Sequence, residues 1–205
     1  IYAWSVFTPA LEDAGWSKTQ TQIVFSVGLA MFALVMVFAG RKLPTWGPRT
    51  LAVAGGLTLG VGYCLAAIDG GTNFWIVLIG VGFVGGAGIG LAYVVPIAVG
   101  MRWFPDHKGM ISGAAVAGFG FGALLWVQMA DTWGGLIDDF GLNGTFFIYG
   151  IAFAALVLVG SIWMEMPPAG WLPAGFTPPE VTGTGGDNFT SREMYLLITI
   201  HFLKW

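Results

Sequence analysis

Five stretches of this chain are long and apolar enough to cross a bilayer, and no other feature narrows its fold so far. Residues 20–39, 50–68, 74–100, 109–130 and 145–164 each approach or exceed the roughly 20 residues that a helix needs to span about 30 Å of hydrocarbon. Residues 1–11 read as the second half of an earlier span, ended near Pro9, and residues 192–205 as the entry to a later one. On that reading the chain is truncated at both ends. Charged residues make up only 9% of it, against about 25% in soluble domains. The expected class is an all-α, multi-pass membrane protein embedded in a lipid bilayer.

The turns between the spans alternate in charge. Arg41, Lys42 and Arg49 follow the first full span, Arg102 and Lys108 follow the third, and Arg192 precedes the last segment. The intervening turns carry Asp69 and then Asp131, Asp138 and Asp139, with no cation. Six Lys/Arg thus fall on one side, with Lys18 on the other and Lys204 in the final segment. The positive-inside bias makes the basic side cytoplasmic. "MRWFPDHKGMISG" (101–113) reads as a tight hairpin there, with Pro105 ending one helix and the next starting near Gly109. Trp16, Trp46, Trp75, Trp133 and Trp163 sit near span ends, where an aromatic belt lies.

Residues 1–165 are expected to form one transmembrane bundle, and residues 192–205 to start a seventh span. Between them, residues 166–191 hold five prolines and five glycines and read as a cytoplasmic linker.

The glycines do not spell a nucleotide site. Gly80, Gly82 and Gly85 satisfy G-x-G-x-x-G, but inside a continuous apolar run and not between a strand and a helix. Their helical spacing is more informative. Gly82, Gly86 and Gly90 recur every four residues, as do Ala114, Gly118 and Gly122, and Gly56 and Gly60. Such rows let helix backbones approach closely in lipid. No charged residue is expected at mid-span depth, so a polar path would rely on milder groups, among them Tyr2, Trp4, Ser5, Tyr63, Tyr93, Ser112, Phe119, Gln128 and Tyr149. Tyr93 stands out, because it follows the glycine row and precedes Pro96, where a helix would bend. Cys64 has no disulfide partner, and nothing indicates a cofactor, a metal site or nucleic-acid binding.

Taken together, "RWFPDHKGMISG" (102–113), "GAGIGLAY" (86–93), "AGFGFG" (117–122) and "YAW" (2–4) make the chain resemble the N-terminal half of a major facilitator transporter. More narrowly it resembles the oxalate/formate antiporter family, whose members show "RWFPD+RG.ASG" after the fourth span. The resemblance implies the six-span N-terminal bundle of a twelve-span fold, completed by a C-terminal six-span half. It implies a secondary active transporter that moves small carboxylates, oxalate/formate-like or monocarboxylates, across a bacterial or archaeal cytoplasmic membrane by alternating access, as antiport or symport, with the small organic anion held near the midplane. By position, Tyr2, Trp4, Tyr93 and Phe119 would contact the substrate. Gly40, Gly47, Arg49, Arg102 and Lys108 would serve the cytoplasmic loops and gate.

The match has departures. Phe119 stands where the family can carry a Tyr, and it donates no hydrogen bond. Ile1 stands where oxalate-like members carry a Gln, and Pro44 and Thr45 replace an acid and a base in the loop after the first full span. "TIHFLKW" (199–205) differs from the family's usual seventh span. An anion at the midplane needs fixed positive charge, which the resemblance assigns to the C-terminal half. With no acid at mid-membrane depth, anion exchange or uniport is favoured over carboxylate-driven proton symport. The alternatives are a major facilitator carrier for a neutral solute or drug, and a membrane sensor without transport. An intramembrane enzyme is disfavoured, because His107 and His201 stand alone.

Overall fold

The computed structural model describes residues 2–130, 134–168 and 170–173, and of residues 2, 3 and 70 the backbone only. The expected start of a seventh span and all but the first residues of the linker lie outside the described residues. A 3₁₀ turn, Tyr2–Val6, leads into α1 (Phe7–Asp13). Five long helices follow: α2 (Lys18–Trp46), α3 (Pro48–Ala66), α4 (Phe74–Trp103), α5 (Lys108–Ala130) and α6 (Leu136–Ser161). All five are long and apolar enough to cross a membrane.

Local chemistry sets several boundaries. The Gln20 N–H donates to Ser17 Oγ and the Ser17 N–H to Gln20 Oε1, a reciprocal cap that starts α2. Asn73 Oδ1 accepts from the Trp75 and Ile76 N–H groups and starts α4. Gly47 takes φ 78° and links α2 directly to α3, whose first residue is Pro48.

Some boundaries differ from the sequence reading. Pro9 lies in the first turn of α1, where a missing N–H costs little, and the helix runs on to Asp13. The stretch "GRKLPTW" (40–46) is not a loop; α2 continues through Arg41, Lys42 and Pro44 to Trp46. Helix α6 begins before Thr145, at Leu136, and kinks at Gly141 (φ 68°, ψ −178°). Thr145 Oγ1 lies within hydrogen-bond reach of the Leu136 and Gly141 carbonyls, so its hydroxyl serves backbone groups that the kink frees. In α4 the irregular turn is not at Pro96. It is a π-helical segment, Leu78–Gly85, where Gly80, Gly82 and Gly85 carry no side chain to obstruct the close contacts with α2 and α3.

Helix α4 packs between α2 and α3, and α6 packs along α3. The approach to α2 is close enough that a Cβ on Gly86 would sit 2.6 Å from the Gly28 oxygen, and one on Gly90 2.7 Å from the Phe32 oxygen. The close packing expected at Gly118 and Gly122 is not found. A Cβ at either would meet nothing within 4 Å, because α5 stands off from its neighbours and buries only Ala130.

Leu34, Trp75 and Trp163 are 68%, 68% and 69% exposed. An apolar surface of that kind suits lipid and not water. Trp16 departs from the aromatic-belt expectation: it is buried, stacks edge-on to Phe74, and donates its indole N–H to the Thr72 carbonyl at 2.6 Å.

Candidate functional site

Helices α3 to α6 line an open cavity of about 370 Å³. Each helix supplies one stripe at helical spacing: Ile89, Ala92, Tyr93 and Pro96 from α4, and Phe119, Gly122, Ala123 and Trp126 from α5. Tyr63 of α3 and Phe153 and Val157 of α6 complete the middle of the wall. Among the described residues no Lys, Arg, His, Asp or Glu lines it.

Tyr93 joins three helices. Its ring stands edge-on to Phe32 of α2 (5.5 Å, 69°) and to Phe119 of α5 (5.4 Å, 68°). Its hydroxyl has no hydrogen-bond partner among the described residues. The neighbouring Tyr149 differs: it is fully buried, its hydroxyl donates to the Trp126 carbonyl, and its ring meets those of Trp126 and Phe153. Tyr149 therefore supports the wall from behind.

The structure brings Tyr93 and Phe119 together, while Trp4 lies outside the cavity lining, in a small pocket that shares Tyr63 and Ile89 with it. Trp4 is buried against Phe7, donates its indole N–H to the Thr21 carbonyl at 3.0 Å, and borders a separate depression with Ser5, Gln22 and Phe25. The Tyr2 side chain lies outside the described residues. Trp126, Phe153 and Met164 also line the cavity and were not singled out in the sequence. The i, i+3, i+4, i+7 stripe running from Phe119 through Gly122 and Ala123 to Trp126 was the available signal.

A second constellation closes one end of the bundle. Arg49 Nη2 donates to the Ile162 carbonyl at 2.7 Å, satisfying a carbonyl just past the end of α6. Trp103 Nε1 donates to the Glu165 carbonyl at 2.8 Å, and Arg102 Nη1 approaches Met166 Sδ at 3.6 Å. Trp171 stands edge-on to Trp103 (5.2 Å, 62°) and donates to its carbonyl at 3.3 Å. The α2–α3 turn, the α4–α5 turn and the exit from α6 therefore share one end. Gly40 lies inside α2, 3.9 Å from Val94 by its would-be Cβ, and Gly47 is the hinge between α2 and α3. Lys108 opens α5, exposed, and beside it His107 Nδ1 lies 2.8 Å from Asp106 Oδ2. That hydrogen bond chiefly holds the Asp106 carboxyl below its ordinary range. Among the described residues no cluster of His, Cys, Asp or Glu could hold a metal ion.

Spanning helices around a ligand-sized cavity, with basic turns gathered at one end, define a multi-pass helical membrane protein. The Major Facilitator Superfamily model matches residues 1–203, so the chain belongs to that superfamily, a family of transporters and not of enzymes. An uncharacterized MFS-type transporter of Escherichia coli (strain K12), YhjX, is 30% identical over 170 residues, covering 82% of this chain and 41% of the relative. Apicoplast pyruvate carrier 1 of Toxoplasma gondii is 36% identical over 118 residues, 57% of this chain and 20% of the carrier. The oxalate:formate antiporter of Oxalobacter formigenes is 24% identical over 168 residues, 81% of this chain and 38% of the antiporter. The chain spans less than half the length of each of these relatives.

Proposed function

We propose that this protein is a secondary transporter of small carboxylates that works by alternating access, and that the described bundle forms one side of its substrate path. The observation that carries the reading is the Tyr93 hydroxyl. It is a hydrogen-bond donor without a partner among the described residues, held between two aromatic rings on a cavity wall. A Tyr O–H is suited to a carboxylate oxygen, and the rings to the carbon body beside it. Two of the relatives carry anions by name, pyruvate in one case and oxalate and formate in the other.

Among the described residues the wall has no cation, and an anion placed there alone would be too costly to desolvate. The counter-charge is therefore assigned to a second six-span half of the carrier. In this reading residues 166–191 link the halves, and the end that bears Arg49 and Arg102 faces the cytoplasm of a bacterial or archaeal cell. Exchange of one anion for another fits spans that hold no acid at mid-depth among the described residues.

The apolar wall favours one second reading, a carrier for a neutral or drug-like solute. Counterflow in proteoliposomes separates the two. The carboxylate reading expects labelled oxalate, formate or lactate to accumulate against an internal pool, and Tyr93→Ala to reduce it. Uptake of neutral solutes without any acid counterflow would replace it by the second reading.

A further inference from the structure

We propose that the preferred substrate is an elongated monocarboxylate with an apolar body, a medium-chain or aryl-substituted acid, and not a compact dicarboxylate. This rests on the carboxylate reading above and narrows it.

The first argument is shape. The cavity runs along α3 from Ala52 to Tyr63, about 16 Å at 1.5 Å per residue. Its volume of about 370 Å³ lies within the range of about 300–1,000 Å³ in which pockets enclose ligands of many atoms. Two-carbon oxalate would leave most of that length empty, with nothing in contact with the Trp126 and Phe153 rings. The second argument is charge. Along this wall neither end of a dicarboxylate meets a charged group, so both ends would need counter-charge from the second half. A monocarboxylate has one end to satisfy and a body that gains from leaving water.

The third argument is the placement of donors. The Tyr63 and Tyr93 hydroxyls both have no partner among the described residues, but they belong to different levels of the bundle. Ala92, next to Tyr93, packs at the level of Gly55, two helical turns along α3 from Tyr63. One carboxylate therefore uses one of them, while its body extends along Phe119, Trp126 and Phe153. Gly118 and Gly122 leave the α5 side of the cavity open, since a Cβ at either position would meet no atom within 4 Å. They set the width available to that body.

The test is isothermal titration of the intact purified protein with formate, acetate, butyrate, hexanoate, oxalate and the neutral hexanamide. The expected result is a Kd that falls about fourfold with each methylene added from acetate to hexanoate, with oxalate weaker than hexanoate. Gly118→Leu, which places a side chain in open space, should weaken hexanoate at least tenfold more than formate. Gly122→Leu serves as the second variant should the first unfold.

A flat chain-length series, oxalate binding as tightly as hexanoate, or a series unchanged in both variants would overturn the inference while leaving a carboxylate carrier. Hexanamide binding as tightly as hexanoate, or no acid binding at all, would remove the carboxylate reading and this inference with it.

Discussion

The ring of Phe119 stands edge-on to that of Tyr93, with centroids 5.4 Å apart and planes at 68°, and this contact joins α5 to α4 across the cavity. An edge-to-face pair is worth about 0.5–1.5 kcal/mol beyond area burial. With the Trp126 contacts to Tyr149 and Phe153, the pair is one of the aromatic contacts that attach α5, which buries only Ala130. Tyr93→Phe preserves the rings and removes only the hydroxyl. We expect unfolding in detergent to shift little and KM for the carried acid to rise about tenfold, the loss of one charge-assisted hydrogen bond. Phe119→Tyr restores a donor on the facing helix and should lower KM for oxalate relative to wild type. Proteoliposome uptake measures both.

The glycines of α4 and α5 should respond oppositely to the same change. Gly86→Ala brings a Cβ to 2.6 Å from the Gly28 oxygen, and a helix must move to admit it. The expected cost is about 1–3 kcal/mol, read as a lower unfolding temperature in detergent. Gly118→Ala meets nothing within 4 Å and should be neutral or stabilising by up to about 1 kcal/mol from helix propensity alone.

The segment beyond α6 is tied down by few side chains. Trp103→Phe keeps an aromatic ring for the edge-on contact with Trp171 but removes the N–H that reaches the Glu165 carbonyl. Hydrogen exchange over residues 164–171 should quicken by roughly five- to tenfold, the loss of about 1 kcal/mol of local stability. Exchange in α2 should not change.

Asp106 gives the hairpin between α4 and α5 a dependence on acid. Its carboxyl is held below the ordinary value of 3.8, first by the hydrogen bond with His107. A group depressed in the folded state contributes stability above its unfolded pKa and loses it as pH falls through the folded one. Both values lie at or below 3.8, so the contribution is intact at neutral pH and disappears only in stronger acid. Carboxyl ¹³C chemical shifts should place the Asp106 titration below 3.8. Asp106→Asn should abolish the acid-dependent change in the hairpin's amide shifts.

Much of the architecture was legible along the chain, for a physical reason. A bilayer requires each span to satisfy its backbone internally and to show lipid an apolar surface, so length and hydropathy alone locate α2 to α6. The alternation of basic and acidic turns foretold that Arg49 and Arg102 would share an end. Boundaries were less legible where local rules compete. Arg41, Lys42 and Pro44 look like a loop, yet they lie at the end of α2, where long cationic side chains can leave the apolar zone while their backbone stays helical.

The residues of the site were only partly legible. Of the cavity lining, sequence pointed to Tyr93 and Phe119 and passed over Trp126 and Phe153, while Trp4 borders an adjoining pocket. It treated the glycines of α4 and α5 as equivalent, although the first row closes a helix contact and Gly118 and Gly122 open a cavity.

Periodicity places side chains on one face of a helix, and that face is a property of the chain itself. Which face meets which neighbour depends on how far apart the helices settle. That distance is decided by packing among residues remote in sequence, such as Gly28 against Gly86. The membrane-spanning elements were therefore determined by the sequence, and the cavity between them only by the tertiary structure.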